Sequence, residues 1–243
     1  MAEKILIASG KGGVGKSTVT SFFGREFAVR GSKVLLIDAD PGLGALDIML
    51  GVQDRVMNTW LDVVCENCEG ENALVEVASG LFLLPSPSVY PDELTDEDFR
   101  NVVSYFDDKF DIIFIDASAG IDRNLEITAG AADRAVFVAT ADEVSVRCAA
   151  AAARESEKYG IERKDMRLVI NRFEKKAAIK SKLLNVDGVI DKSGVMLLGI
   201  IPEDKKIPFM SVTSVMPKKK SPFIKAVGRI TGRINGEYIP LEI

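Results

Sequence analysis

The sequence contains no histidine. This absence excludes every mechanism that depends on a histidine base, a histidine-oriented nucleophile or a histidine-ligated metal. Any chemistry must therefore use carboxylates, lysines, hydroxyls, backbone amides or a bound cation.

Cysteine and long apolar runs are also scarce. Three cysteines, an odd number without secretory context, favour a reducing cytoplasm over a disulfide framework. No run approaches the ~18 apolar residues that a membrane span needs. No charged and apolar leader precedes the first predicted strand, so we expect a cytoplasmic protein.

The composition is that of a globular protein. Apolar residues make up 47% of the 243 residues and charged residues 28%, which excludes wholesale disorder. The net charge of −5 does not indicate nucleic-acid binding by the surface as a whole. With no repeat and no rich linker, we expect residues 1–243 to form one domain.

Short apolar runs alternate with helical patterns along the chain. Continuous β-branched runs indicate strands that are buried on both faces of a parallel sheet. The predicted strands are 5–8, 34–38, 81–85, 111–116, 134–140, 167–171 and 195–201. The predicted helices are 16–30, 94–107, 123–132 and 143–159. We interpret the polar stretch 174–194 as an excursion of the same domain and not as a second domain. The pattern predicts the α/β class, a doubly wound, mainly parallel sheet with helices on both faces.

The stretch GKGGVGKS at 10–17 fits the pattern G-x-x-x-x-G-K-[ST], directly after the first strand and at the start of a helix. Glycines let backbone N–H groups converge, and the helix N-terminus adds partial positive charge to that anion cradle. Lys16 reaches the terminal phosphates, and the Ser17 hydroxyl can bind Mg²⁺. The predicted nucleotide-binding residues here are Gly10, Lys11, Gly12, Gly13, Val14, Gly15, Lys16, Ser17 and Thr18. The alternative is a glycine-rich turn with no ligand.

Lys11 is a second lysine in the same loop, five positions before Lys16. It is either solvated surface or a cation with a function. The sequence GKGGVGKST resembles the deviant Walker A motif of the MinD/ParA ATPases, a branch of the P-loop NTPases. The resemblance implies a dimer formed with ATP, in which Lys11 crosses to the partner's phosphates and stabilises the transferring phosphoryl group.

Acidic residues follow two of the predicted strands. VLLIDADPGLG places Asp38 and Asp40 at the end of the second strand, where ligands of such sheets bind. By the resemblance, Asp40 orients the attacking water and Asp38 supports the magnesium environment. The alternative for Asp40 is an N-cap of a helix near 45–50.

DIIFIDASAG places Asp116 at the end of a strongly apolar strand, with Gly120 four residues later. This pattern is typical of a Walker B aspartate and a flexible switch. Asp116 can hold a magnesium-bound water, and Gly120 can offer its amide near the γ-phosphate. The predicted metal-site residues are Ser17, Asp38 and Asp116.

RLVINRF ends a later strand with Asn171 and Arg172. An asparagine amide has the donor and acceptor needed to read an adenine edge, although a turn-forming asparagine is the alternative. The resemblance places Arg172 against the base and Pro202, in GIIPED, in the wall of the base pocket.

The resemblance extends from residue 3 to about 234 and is closest to the MinD type, through SAGID at 118–122 and EVSVR at 143–147. It implies a Mg²⁺-dependent ATPase that switches the binding of regulatory protein partners in positioning cell division. A partition ATPase, with lysine clusters at 175–182 and 218–220 binding DNA, is a second interpretation, which the acidic charge disfavours. A metabolic or metal-cluster-carrying P-loop enzyme is a third.

Two features leave alternatives open. Residues 222–234 form a basic amphipathic pattern, which indicates either the last helix packed on the sheet or, with 218–220, a peripheral contact at the inner face of the membrane through 218–234. Cys65 and Cys68 form a C-x-x-C pair, interpreted as reactive or incidental thiols or as half of a metal site shared between two subunits.

Overall fold

The strands form one eight-stranded sheet in the computed structural model, which describes residues 1–42, 44–174, 185–207 and 221–242. They are β1 (Glu3–Ser9), β2 (Val34–Ala39), β3 (Val75–Ala78), β4 (Leu81–Leu84), β5 (Ile112–Ala119), β6 (Arg134–Ala139), β7 (Met166–Phe173) and β8 (Leu197–Pro202). Their order is β3-β4-β2-β5-β1-β6-β7-β8. Neighbouring strands are parallel except β3 and β4, which are antiparallel.

Helices cover both faces of this sheet. They are α1 (Lys16–Val29), α2 (Leu46–Leu50), α3 (Trp60–Val64), α4 (Asp96–Tyr105), α5 (Arg123–Ala129), α6 (Glu143–Glu157), α7 (Val186–Ser193) and α8 (Pro222–Ile234). Short 3₁₀ helices lie at Gln53–Arg55, Gly70–Ala73 and Arg163–Asp165. None of the helices in the described ranges combines the length and hydropathy required to cross a bilayer.

The alternation of side chains along each strand divides the core into two layers. In β1, Ile5 and Ile7 pack toward α1 and α8, whereas Leu6 and Ala8 pack toward α4, α5 and α6. Successive side chains of a strand point to opposite faces, so both sets must be apolar when both faces are covered. This explains why the strands have continuous apolar runs.

The predicted fold class is confirmed, and the observed elements differ from the predicted ones mainly at their ends. The sequence patterns missed β3 and α3, which are four and five residues long, whereas α2 lies at the helix expected near 45–50. The polar stretch 174–194, interpreted as an excursion and not as a second domain, contains a helix that the weak pattern did not predict, α7 at Val186–Ser193. This helix buries Val189 and pairs Lys192 with Glu143 of α6; residues 175–184 lie outside the described part.

Helix α8 packs its apolar face on α1 and β8. Phe223, Val227 and Ile230 are buried in the core, and the ring of Phe223 meets that of Phe22 edge to face at 4.9 Å between centroids. The apolar face of this helix is therefore unavailable to a membrane. The interpretation of 222–234 as the last helix packed on the sheet is therefore confirmed. A peripheral membrane contact through 218–234 stays a prediction, and residues 218–220 lie outside the described residues.

We expect Phe223→Ala to lower the free energy of unfolding by about 3–5 kcal/mol, because it leaves a cavity where two core rings meet. Urea denaturation would measure this loss. Tyr238→Ala, at a side chain that is 96% exposed, serves as the control and should change stability by less than about 0.5 kcal/mol. Equal stability of both variants would show that α8 is not part of the core.

Candidate functional site

The loop between β1 and α1 contains glycines that no other residue can replace. Gly15 has a φ of 90°, and a Cβ on it would lie 2.4 Å from Asn171 Nδ2. A Cβ on Gly10 would lie 2.2 Å from the carbonyl oxygen of Cys148 in α6. The loop is therefore held tightly between β7 and α6, and its backbone conformation depends on glycine.

Helix α1 begins without a side-chain cap. Its N-cap is Gly15, and its first turn contains no acidic residue. The later helices from α4 to α8 each begin at a side chain that accepts a backbone N–H, namely Thr95, Asp122, Asp142, Asn185 and Ser221. The first N–H groups of α1, at Lys16, Ser17 and Thr18, remain available, and the helix dipole adds partial positive charge there. This is an anion cradle.

Lys16 forms a buried ion pair with Asp116. The lysine Nζ lies 2.9 Å from Asp116 Oδ2, and the two side chains are 6% and 1% exposed. Asp116 Oδ1 accepts a hydrogen bond from Thr20 Oγ1 at 2.6 Å. Lys16 Nζ also lies 3.3 Å from Ser17 Oγ. The structure therefore brings the predicted lysine, hydroxyl and Walker B carboxylate together at the carboxyl ends of β1 and β5.

Asp38 shapes the loop that follows β2. Its Oδ1 accepts the N–H of Asp40 and its Oδ2 accepts the N–H of Leu46, each at 3.1 Å. Burial, followed by the charge of Asp116, raises the pKa of Asp38 to about 7. Burial also raises the pKa of Asp40, which is only partly buried.

The alternative interpretation of Asp40 as an N-cap is wrong. Helix α2 begins after Ala45, and Asp38 supplies the carboxylate that accepts its first N–H.

The predicted metal-site residues fit Mg²⁺ by their chemistry. Ser17, Asp38 and Asp116 offer a hydroxyl and two carboxylates, which are hard oxygen ligands. The two carboxylates share only one buried lysine, so the site has an excess of negative charge. Mg²⁺ keeps several waters and commonly takes one or two carboxylates together with substrate phosphates. No cluster of three or more acidic or cysteine side chains suited to a metal occurs within the described residues.

The predicted base-binding residues line one cavity. Gly15, Thr18, Asn171, Arg172 and Pro202 surround a space of about 270 Å³. Other residues of its wall are Met49, Glu203, Asp204, Ile207 and Phe223.

Asn171 and Arg172 lie beside this cavity, and the backbone conformation of Arg172 is unusual. Asn171 Nδ2 donates to the carbonyl of Val14 at 2.8 Å, so the amide also braces the glycine loop. Arg172 has a φ of 53°, which is uncommon for a non-glycine residue and occurs often at binding sites. The adenine-reading role of Asn171 stays a prediction.

Gly120 lies at the end of β5 with a φ of 127°. Its N–H donates to the carbonyl of Ser9 at 2.9 Å, so this amide joins the ends of β5 and β1. The hydroxyls of Ser9 and Ser118, both buried at these ends, have no hydrogen-bond partner within the described part of the chain. The role of Gly120 at a γ-phosphate stays a prediction.

Lys11 is not simply solvated. Its Nζ lies 3.3 Å from Asp142 Oδ1, and its side chain is 42% exposed. Asp142 also accepts hydrogen bonds from Thr140 and Ser145. Burial acts to raise the pKa of Asp142. The hydrogen bonds and the charge of Lys11 have the opposite effect and are stronger together, so the pKa is lowered. Lys11 therefore stays at the surface of the loop, bound within its own chain.

Sequence reasoning missed two residues that hold the lysines, Thr20 and Asp142. Thr20 stands one helical turn after Lys16, so helical periodicity could have placed it beside that lysine. Asp142 follows the end of β6, and no local pattern indicates that it meets Lys11.

The hypotheses of a metal site at the cysteine pair and of DNA binding by the lysine clusters gain no support from the described residues. Cys65 and Cys68 are free thiols, and no metal cluster in the described residues includes them. The lysine clusters at 175–182 and 218–220 lie outside the described residues.

Comparison with known proteins gives the family. Residues 5–214 match the family model of the CobQ/CobB/MinD/ParA nucleotide binding domain. The septum site-determining protein MinD of Thermotoga maritima is 33% identical over 100% of this chain and 91% of that protein. The MinD of Synechocystis is 35% identical over 99% and 92%. The chain belongs to the MinD/ParA family of ATPases, in its MinD type.

A solved structure agrees with this assignment. The MinC:MinD cell division protein complex of Aquifex aeolicus contains a chain that is 33% identical, with a TM-score of 0.90 over 100% of this chain and 99% of that one. The predicted family and the predicted fold are therefore both confirmed.

The raised pKa of Asp38 predicts a pH dependence of stability in the ligand-free protein. The ordinary carboxyl pKa is 3.8 and that of Asp38 is about 7, so folding favours the protonated form. The contribution of Asp38 to the free energy of unfolding is full below pH 4 and falls toward pH 7, by up to ~1.4 kcal/mol per pH unit. Above pH 7 it levels off.

Urea denaturation of the wild type and Asp38→Asn between pH 5 and pH 8 would measure this effect. The wild type should lose stability relative to the variant up to about pH 7, because only the wild type ionises there. If the free energies of unfolding of the wild type and the variant differ by the same amount at every pH in this range, the pKa of Asp38 is not raised.

Proposed function

We propose that this chain is a nucleotide-dependent switch that binds ATP with Mg²⁺, pairs with a second copy of itself and hydrolyses the ATP. The observation that carries the proposal is the uncapped start of α1 with two lysines, of which Lys16 is buried and Lys11 is exposed. The positive charges of Lys11 and Lys16 in one glycine loop repel each other. Negatively charged phosphate oxygens bound in the loop would neutralise both charges. The similarity to MinD proteins over the whole chain supports the same conclusion.

Each polar residue of the site has a role in this proposal. The N–H groups of α1 and Lys16 bind the phosphates, while Asn171, Arg172 and Pro202 receive the base in the 270 Å³ cavity. Ser17, Asp38 and Asp116 would hold Mg²⁺, which neutralises phosphate charge when bound. Asp40 is partly exposed beside them, where its carboxylate can orient a water.

Lys11 and a second copy would complete the site. The ion pair of Lys11 with Asp142 is exposed, and exposed pairs contribute little stability, so its exchange for a partner's phosphate costs little. The cation would then stabilise charge on the transferring phosphoryl group. Turnover would be slow until a partner protein aligns the site.

We further propose that the ATP-bound form binds a regulatory protein and contributes to selecting the site of cell division. The full-length MinD relatives are named for septum-site determination, and the Aquifex aeolicus relative was solved in complex with MinC. The three free cysteines favour action in the cytoplasm.

We expect Lys11→Ala to retain ADP binding but to lose ATP-dependent dimerisation and to hydrolyse ATP at least about 100-fold more slowly, because the trans cation is missing. Calorimetry, molecular mass in solution and phosphate release would measure the three properties.

Two variants make this test specific. Lys16→Ala should lose nucleotide binding itself, because Lys16 is part of the cradle. Lys158→Ala, at an exposed lysine paired with Glu155, should behave as the wild type. Hydrolysis by Lys11→Ala at the wild-type rate would exclude the role of Lys11.

Asp40→Asn should separate binding from hydrolysis. The amide keeps the shape of the side chain but carries no negative charge and cannot take a proton from water, so we expect ATP-dependent dimers to persist while hydrolysis falls about 10²–10⁴-fold. Single-turnover phosphate release is the measurement, and Asp54→Asn, at an exposed acid, is the control. Wild-type hydrolysis by Asp40→Asn would remove Asp40 from the mechanism.

A further inference from the structure

Side chains from outside β2 donate hydrogen bonds to the end of this strand and to the residue after it. Three successive backbone carbonyls, at 38, 39 and 40, each accept one hydrogen bond. The donors are Trp60 Nε1 to Asp38 at 3.1 Å, Tyr90 OH to Ala39 at 2.7 Å and Ser86 Oγ to Asp40 at 2.9 Å. These carbonyls belong to the segment that carries both acids of the proposed site.

Two of the donors lie in the segment 85–94, which we call the bridging segment. Its backbone also contacts the loop after β2, because Gly42 N–H donates to the carbonyl of Pro87 at 3.2 Å. Trp60 N–H donates to the carbonyl of Pro85 at 3.1 Å, so the bridging segment holds α3 as well. The loop that carries Asp40 is thus hydrogen-bonded to the bridging segment.

Tyr90 is the donor whose chemistry is best defined. Its ring packs edge to face on Trp60 at 5.1 Å between centroids, and Trp60 is fully buried. Burial, together with the charges of Asp38, Asp40 and Asp122, raises the pKa of Tyr90, so its hydroxyl stays protonated and donates.

The bridging segment is also bonded to the start of α5, the helix that follows β5. Arg123, three residues after Gly120, donates through Nη2 to the carbonyls of Asp92 and Leu94 at 2.6 and 2.7 Å. The segment is therefore bonded both to the end of β2, which carries the proposed catalytic carboxylate, and to the helix that follows β5.

We propose that Tyr90 is a positioning residue for ATP hydrolysis, which fixes the end of β2 so that Asp38 and Asp40 keep their directions, and that Arg123 couples this contact to the end of β5. The inference rests on the proposed function. A carboxylate that orients water must be held within about 0.5 Å of its working geometry. Asp40 lies on a loop. The bridging segment donates hydrogen bonds to the backbone carbonyls of Asp40 and Ala39.

Tyr90→Phe removes one hydroxyl and keeps the ring on Trp60, so the fold should persist. We expect kcat for ATP to fall about 10-fold while KM changes less than about 2-fold, because the contact acts on orientation and not on nucleotide binding. In the nucleotide-free protein, amide hydrogen exchange over residues 38–46 should become about 5- to 10-fold faster. Tyr159→Phe, which loses a hydroxyl contact to Glu155 at 3.4 Å, is the control and should change none of these values.

The coupling through Arg123 has its own test. Arg123→Lys keeps the charge but not the pair of donors, and we expect kcat to fall severalfold. In the double variant Tyr90→Phe/Arg123→Lys, kcat should fall less than the product of the two single effects, because both act on one segment.

The possible failures are distinguishable. Wild-type kcat in Tyr90→Phe, an equal effect of Tyr159→Phe, or unchanged exchange over 38–46 would overturn this inference and leave the proposed function standing. Independent effects in the double variant would overturn the coupling. A wild-type chain that neither binds nor hydrolyses ATP would overturn the proposed function, and this inference with it.

Discussion

The buried ion pair between Lys16 and Asp116 is the contact on which the rest of the site depends. A lysine and a carboxylate that are 6% and 1% exposed are stable only as partners, because a single buried charge would cost several kcal/mol. The pair fixes the start of α1 against the end of β5. It thereby sets the position of the uncapped N–H groups, and the anion cradle is preformed around one lysine.

The same ion pair explains the electrostatics around it. Asp116 is paired with Lys16, and Asp38 is buried nearby. Burial, followed by the charge of Asp116, raises the pKa of Asp38 to about 7. Asp38 is held by backbone N–H groups on both oxygens, which ties its direction to the loop that carries Asp40. The orientation of Asp40 therefore depends on backbone geometry, and in the function that we propose the side chains that bond the carbonyls of this strand end would bear on hydrolysis.

Much of the fold and the cradle could be predicted from the sequence. Strands with both faces covered must be apolar throughout, and the glycine loop has a local pattern, so β1, β2 and the start of α1 were recognisable. β3 was not, because it is a four-residue antiparallel edge strand with only Val75 buried. The contact of Thr20 with Asp116 and that of Asp142 with Lys11 were not either, since these partners lie 96 and 131 residues apart in sequence. The contacts of Tyr90 likewise depend on tertiary structure.

The two lysines of the loop differ in burial, and this difference suits the separate roles that we propose for them. The ion pair of Lys16 is desolvated, so the lysine cannot leave the site without a large loss of stability. The pair of Lys11 with Asp142 is exposed and contributes about 0.2–1 kcal/mol at most, before screening by salt. Asp142 keeps its bond to the start of α6 whether or not Lys11 is present. Lys11 can therefore move to another anion without disturbing the fold, as a residue that reaches a second molecule must.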